Sequence, residues 1–231
     1  MKRLLLASLV LLVANQASAA LIARWTFETS PPADLNNSAT IGGILADAGI
    51  GTASGVHASA ATDWSTPVGN GSGNSLSSNE WAVGDYYQFA FNAAGLTNLQ
   101  LNFDQTSSNT GPRDFKVQTT LDGTLFTDLV NYVVLANAAP NPFWTSATSS
   151  PIFSFAISLP NNIVGIRLVD RSAVSAEGGA VAAGGTSRVD NVSINTVPEP
   201  STFVFFSFAV VGFGGAALRR TQSRRRLTAA S

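Results

Sequence analysis

Leu99-Gln100-Leu101-Asn102-Phe103 alternates apolar with polar side chains at every position. In an extended chain successive side chains point to opposite faces, so this stretch buries Leu99, Leu101 and Phe103 and wets Gln100 and Asn102. The same period recurs along the chain. Tyr87, Phe89 and Phe91 alternate with Gln88 and Ala90, Phe115 and Val117 with Asp114, Lys116 and Gln118, and Val164, Ile166 and Leu168 with Gly165 and Arg167. Val192 and Ile194 alternate with Asn191 and Ser193. Turn chemistry separates these runs, as at Asp122-Gly123 and Leu159-Pro160-Asn161-Asn162. No stretch between the two chain ends sustains a helical stripe over three turns. The pattern predicts an all-β chain: an antiparallel β-sandwich or jelly roll of eight to ten strands.

Two regions depart from it. Residues 33–78 are rich in Gly, Ala, Ser, Thr and Asn, with Ile41, Ile44, Leu45 and Trp64 as the main large apolar residues. The composition predicts short strands joined by long loops that carry recognition. Residues 173–186 form a second Gly/Ala-rich insertion and read as a mobile loop.

The two ends of the chain are built differently. Lys2 and Arg3 precede an apolar run from Leu4 to Val13 and the small-residue site Ala17-Ser18-Ala19. This is the pattern of a secretory signal peptide over residues 1–19, cleaved between Ala19 and Ala20 by signal peptidase. At the other end Val197-Pro198-Glu199-Pro200 leads into an uncharged apolar run from Ser201 to Leu218, then into Arg219, Arg220 and Arg224 to Arg226. Eighteen residues of helix rise about 27 Å, close to the thickness of a bilayer core. The sequence therefore predicts one C-terminal transmembrane helix, with its arginines held on the cytoplasmic side and the N-terminus exported. Two prolines keep the preceding motif extended and accessible.

Motif, apolar span and basic tail, in that order over residues 197–231, resemble the PEP-CTERM sorting domain of Gram-negative bacteria. The resemblance implies that Val197, Pro198, Glu199 and Pro200 are a processing motif read by the membrane enzyme exosortase. It implies an inner-membrane precursor that ends at the cell surface or outside the cell, associated with exopolysaccharide and biofilm. Residues 20–196 are then the ectodomain. More loosely, that segment is similar to the jelly-roll ectodomains of PEP-CTERM proteins and to carbohydrate-binding modules. Arg24 to Glu28 corresponds to an opening strand, and Arg188 to Ile194 to a closing one.

Between the two signals, residues 20–197 hold six basic residues (Arg24, Arg113, Lys116, Arg167, Arg171 and Arg188) against thirteen acidic ones. That imbalance excludes nucleic acid as a partner, because phosphates need a basic face. The chain has no cysteine, which excludes disulfides, thiol catalysis and thiolate metal sites. Its single histidine, His57, sits among Ala, Ser and Thr without a recognisable nucleophile motif and reads as a solvated loop residue.

Three further readings concern sites. Asp190 shares parity with Val192 and Ile194, which points its carboxylate to the buried face, where it requires a partner or a cation. In related jelly rolls an acid of the first strand and one of the last share calcium, and Glu28 is the matching residue here. Calcium needs six to eight hard oxygens, so backbone carbonyls would complete the shell, and a salt bridge to Arg24 or Arg188 is the alternative. Trp64 and Trp144 are the candidates for a sugar-stacking platform, while Trp25 and Trp81 fall in strand patterns and read as core. No pair of carboxylates stands out for glycoside hydrolysis. The expectation is a non-catalytic surface or matrix protein, with a calcium-bearing carbohydrate-binding module as one alternative and a polysaccharide hydrolase as another.

Overall fold

The computed structural model describes residues 19–197, which form two antiparallel sheets packed face to face. The strands are β1 (Leu21–Trp25), β2 (Thr40–Leu45), β3 (Ala48–Gly49), β4 (Gly51–Val56), β5 (Trp64–Ser65), β6 (Leu76–Ser78) and β7 (Tyr86–Phe91). They continue with β8 (Leu99–Ser107), β9 (Asp114–Thr120), β10 (Phe126–Val133), β11 (Ser154–Leu159), β12 (Gly165–Asp170) and β13 (Ser187–Thr196). A 3-10 turn, Pro151–Phe153, precedes β11. The first sheet runs β11-β8-β13-β1-β3, with β6 beside the leading half of β13 and β5 beside β6. The second runs β10-β9-β12-β7-β4-β2. The signal peptide residue Ala17, the motif residues Pro198, Glu199 and Pro200, and the apolar C-terminal run lie outside the described residues.

The alternation read from the sequence fills the space between the sheets. Leu99, Leu101, Phe103, Tyr87, Phe89, Phe115, Val117, Ile166, Leu168, Val192 and Ile194 are all buried in one cluster. Each such side chain contributes roughly 1.5–3 kcal/mol on leaving water. Aromatic pairs join the sheets edge to face: Trp25 on β1 meets Phe89 on β7 at 5.1 Å, and Phe103 on β8 meets Tyr132 on β10 at 5.4 Å. The hairpin expected at Asp122-Gly123 connects β9 to β10, with Gly123 in the left-handed region (φ 79°) and Asp122 accepting the amides of Thr124 and Leu125.

The Gly/Ala-rich region 33–78 is not mainly loop. It supplies five strands, two of them in the body of the second sheet. Its small residues are there to make room: a Cβ on Gly55 of β4 would lie 2.2 Å from the Trp64 ring. The insertion 173–186 is likewise tied down rather than free. Ala176 and Ala182 donate backbone hydrogen bonds to Gly111 and Thr110, and Glu80 donates to Ala183.

One irregularity changes a face. The register of β13 against β8 shifts between Asp190 and Ser193, and Asn191 adopts φ 52°. This bulge puts Val189 and Val192 into the same core, although their numbers differ in parity.

Candidate functional site

Three polar clusters stand out from the core. The first is sealed. His57 is not a solvated loop residue: it is 3% exposed, and its ring packs 4.9 Å from Trp64 and 4.4 Å from Trp81. Its Nε2 lies 3.2 Å from Ser78 Oγ, and its Nδ1 lies 3.4 Å from Asp85 Oδ2. Asp85 is itself fixed by the amides of Ala58 and Ala82, each at 2.7 Å. A serine, an imidazole and a carboxylate therefore stand in hydrolase order. Ser78 is fully buried, however, and its hydroxyl also meets Tyr87 Oη at 3.0 Å. Tyr87 in turn donates to the Ser187 carbonyl at 2.6 Å. Nothing the size of a substrate reaches this serine, and the arrangement satisfies buried polar groups. Burial holds the His57 imidazole below its ordinary value, with Asp85 pulling the other way.

The second cluster lies on the outer face of the first sheet, under the loop 67–75. Asp190 is fully buried there, so its burial follows the sequence reading, but the face does not. The bulge at Asn191 turns it away from Val192 and towards this loop. Its Oδ2 accepts the Asn70 amide at 2.8 Å and the Ser72 hydroxyl at 2.6 Å, while Oδ1 accepts the Asn191 amide at 2.7 Å. Burial pushes the Asp190 carboxyl up to about 7, against these hydrogen bonds and with help from Asp104. Arg188 makes no ion pair with it. Its guanidinium donates to the Val68 carbonyl and stacks 5.1 Å from Trp144.

Glu28 reaches the same loop from the other side, accepting the Asn74 amide at 2.8 Å. It sits beyond the end of β1 on a turn organised by Asp47, whose carboxylate accepts the amides of Thr26, Phe27 and Thr29 around a left-handed Phe27 (φ 60°). Loop 69–74 thus receives both sequence candidates for calcium. Ser72 Oγ donates to Asp190 Oδ2 at 2.6 Å and lies 3.1 Å from the Asn74 carbonyl, and Gly69 packs against all three oxygens too closely to carry a side chain. An all-oxygen set of this kind suits a hard cation. Among the described residues no three acidic or imidazole side chains gather to hold a metal by themselves, so neutral oxygens would have to complete the shell.

The proposed sugar platform does not exist. Trp64 is 1% exposed in β5, with its indole N–H on the Ser38 carbonyl, and Trp144 is 3% exposed against Phe153. All four tryptophans are buried, because rings of that size are where a Gly/Ser-rich chain finds its apolar area.

The third cluster is open to solvent and was missed. On the outer face of the second sheet the Arg167 guanidinium of β12 lies between two rings, 4.0 Å from the Tyr86 centroid and 3.6 Å from that of Phe126. Its Nε donates to Gln88 Oε1 at 2.8 Å. Alongside, Lys116 and Gln118 of β9 both hold Asp128 of β10, at 2.9 and 2.7 Å. A shallow hollow of about 300 Å³ opens here, lined by Tyr86, Lys116, Gln118, Arg167, Asp170 and Arg171 among others. Burial pushes the Asp170 carboxyl up to about 7. The signal was present in the alternation itself: Tyr86, Gln88, Lys116, Gln118 and Arg167 are the outward partners of the core residues.

No protein-family model matches the chain, and no curated protein matches it in sequence. Among solved structures it is similar to a family 29 carbohydrate-binding module from Piromyces equi, at 9% identity and TM-score 0.42, over 78% of this chain and 93% of that one. It is also similar to the mannan-recognising module TmCBM27, at 13% identity and TM-score 0.40, over 78% and 99%. The K1 adhesin domain of Lys-gingipain from Porphyromonas gingivalis matches at 11% identity and TM-score 0.41, over 59% and 83%.

Proposed function

We propose that the chain is an exported surface or matrix protein whose sandwich binds extracellular polysaccharide and performs no chemistry of its own. The observation that carries the binding half is the outer face of the second sheet. Flat rings (Tyr86, Phe126) lie beside hydrogen-bonding side chains (Gln88, Lys116, Gln118, Arg167) that hold one another in place. Sugars present apolar ring faces edged with hydroxyls, and such a surface answers both. An open, shallow face suits an extended polymer better than an enclosed small molecule.

The absence of catalysis is supported by the sealed state of Ser78, His57 and Asp85, and by Asp128 being tied to Lys116 and Gln118. A calcium ion held by Asp190, Glu28 and the oxygens of loop 69–74 would serve stability only, pinning the loop to the first sheet.

Delivery rests on the sequence: signal peptidase cutting before Ala20, then exosortase acting at Pro198-Glu199-Pro200. Two experiments test the whole. Titration of the purified protein with exopolysaccharide from its host should give binding that is lost on Tyr86→Ala with melting unchanged; unaltered binding removes this face from the reading. Replacing Pro198 and Pro200 with alanine should leave full-length protein in the inner membrane, and unchanged release would overturn the sorting assignment.

A further inference from the structure

The charges on this face are unevenly settled. The domain carries six cations, and three of them (Lys116, Arg167 and Arg171) line this hollow. Lys116 is matched by Asp128 at 2.9 Å. Asp114 is shared by Arg171 at 4.0 Å and Arg113 at 3.0 Å. Arg167 forms no ion pair among the described residues. Among the described residues its one hydrogen bond uses Nε, and the fork of Nη1 and Nη2 has no protein partner there. The two rings, 4.0 and 3.6 Å from its central carbon, hold the guanidinium in place and remove part of its water. Burial accordingly lowers Arg167 from its usual value, the behaviour of a guanidinium that has lost solvent without gaining a carboxylate.

A planar, immobilised, unpaired guanidinium matches the geometry of a carboxylate, which it binds through two parallel hydrogen bonds. The carboxylates that line or border the hollow do not compete. Asp114 and Asp128 are already paired, and Asp170 is buried to 1% exposure. The remainder of the domain, with the other ten of its thirteen acids, repels a polyanion, so capture is confined to this spot.

We propose that the polymer recognised on this face carries carboxylates, that is, uronate sugars, and that Arg167 is the residue that selects them. The inference rests on the polysaccharide-binding reading above. Arg171 adds to the positive field, because it shares the single Asp114 carboxylate with Arg113, and Tyr86 stacks on the sugar ring beside the carboxylate.

The test uses the full chain in detergent and three acidic polymers, polygalacturonate, alginate and hyaluronate, each paired with its carboxyl-reduced counterpart. Dextran sulfate serves as a control for plain ion exchange. At least one acidic polymer should bind about tenfold or more tighter than its reduced form. Arg167→Gln should abolish that preference, and Arg171→Gln, at an exposed rim position, should weaken it several-fold, with melting curves confirming that both variants are folded. Equal binding of acidic and reduced forms, or neutral polymers alone being bound, overturns the uronate assignment and leaves polysaccharide binding intact. Dextran sulfate binding as tightly as the best uronate, or an unchanged preference in Arg167→Gln, also overturns it. Binding to none of these polymers or to host exopolysaccharide sinks the underlying reading as well.

Discussion

Asp104 and Asp190 stand opposite each other in register on β8 and β13, and Asn70 hydrogen bonds to both. Its side-chain amide donates to Asp104 Oδ2 at 2.9 Å and its backbone amide to Asp190 Oδ2 at 2.8 Å. Two carboxylates on adjacent strands repel unless donors or a cation lie among them.

If calcium supplements those donors, EDTA should lower the melting temperature of the purified protein and added Ca²⁺ should restore it. Asp190→Asn should remove the difference between the two conditions. A melting temperature indifferent to EDTA would assign Glu28 and Asp190 to hydrogen bonding alone.

His57 makes stability depend on pH. Its folded-state value is depressed by burial, so between pH 7 and pH 5 the unfolded chain takes up a proton that the folded chain resists. The contribution is present above about 6.5, the ordinary histidine value, and is lost as pH falls. The melting temperature of the unaltered protein should therefore fall relative to that of His57→Gln over this range, on top of the opposite trend that the raised carboxyls of Asp170 and Asp190 give both proteins. Parallel curves for the two proteins would show that His57 is not the titrating group.

Asp170 acts in the opposite sense. Its folded-state value is raised from 3.8 to about 7, so the folded chain holds the proton more tightly and loses stability as pH rises through 7. One oxygen, Oδ2, is buried without a hydrogen-bond partner. Asp170→Asn should raise the melting temperature by about 4–8 °C at pH 8, corresponding to about 2 kcal/mol relieved in a domain of this length. At pH 4 the gain should vanish; an equal gain at both pH values would point to packing rather than charge.

Tyr87→Phe removes the hydroxyl that joins Ser78 to the Ser187 carbonyl. The buried carbonyl loses that donor, at a cost of about 1–3 kcal/mol. Chemical denaturation at pH 7 should show a lowered midpoint with an unchanged slope, and no shift would mean that water takes the place of the hydroxyl.

The core was readable because its signal is local. Leu99, Leu101 and Phe103 declare their face by spacing alone. Asp190 shows where that logic stops: one extra residue at Asn191 reverses the face, and a bulge leaves no mark in apolar spacing when the residues around it are polar. His57 and Trp64 were misplaced for a related reason. Their neighbours are small and polar in sequence, yet in space they are Trp81, Tyr87 and Asp85, which arrive from another strand or its approach. Glycines such as Gly55 read as flexibility, whereas here they are the space an indole occupies. The Arg167 site escaped because its parts come from four strands, and only sheet order brings Tyr86 and Phe126 to the same guanidinium.

The ends of the domain meet. The Ala20 amide donates to the Thr196 hydroxyl and the Thr196 amide to the Ala20 carbonyl, while Val197 bonds Asn98 at the same pole. The rim of the Arg167 hollow at Gly84 and Arg171 belongs to the opposite ends of β7 and β12. A fusion partner or a sensor-chip linker joined to the domain at Ala20 or Val197 therefore grips it by the heel and leaves the palm free. Immobilisation through Ala20 or Val197 is compatible with every polymer-binding assay above, and the chain can be circularly permuted at that seam without touching the hollow.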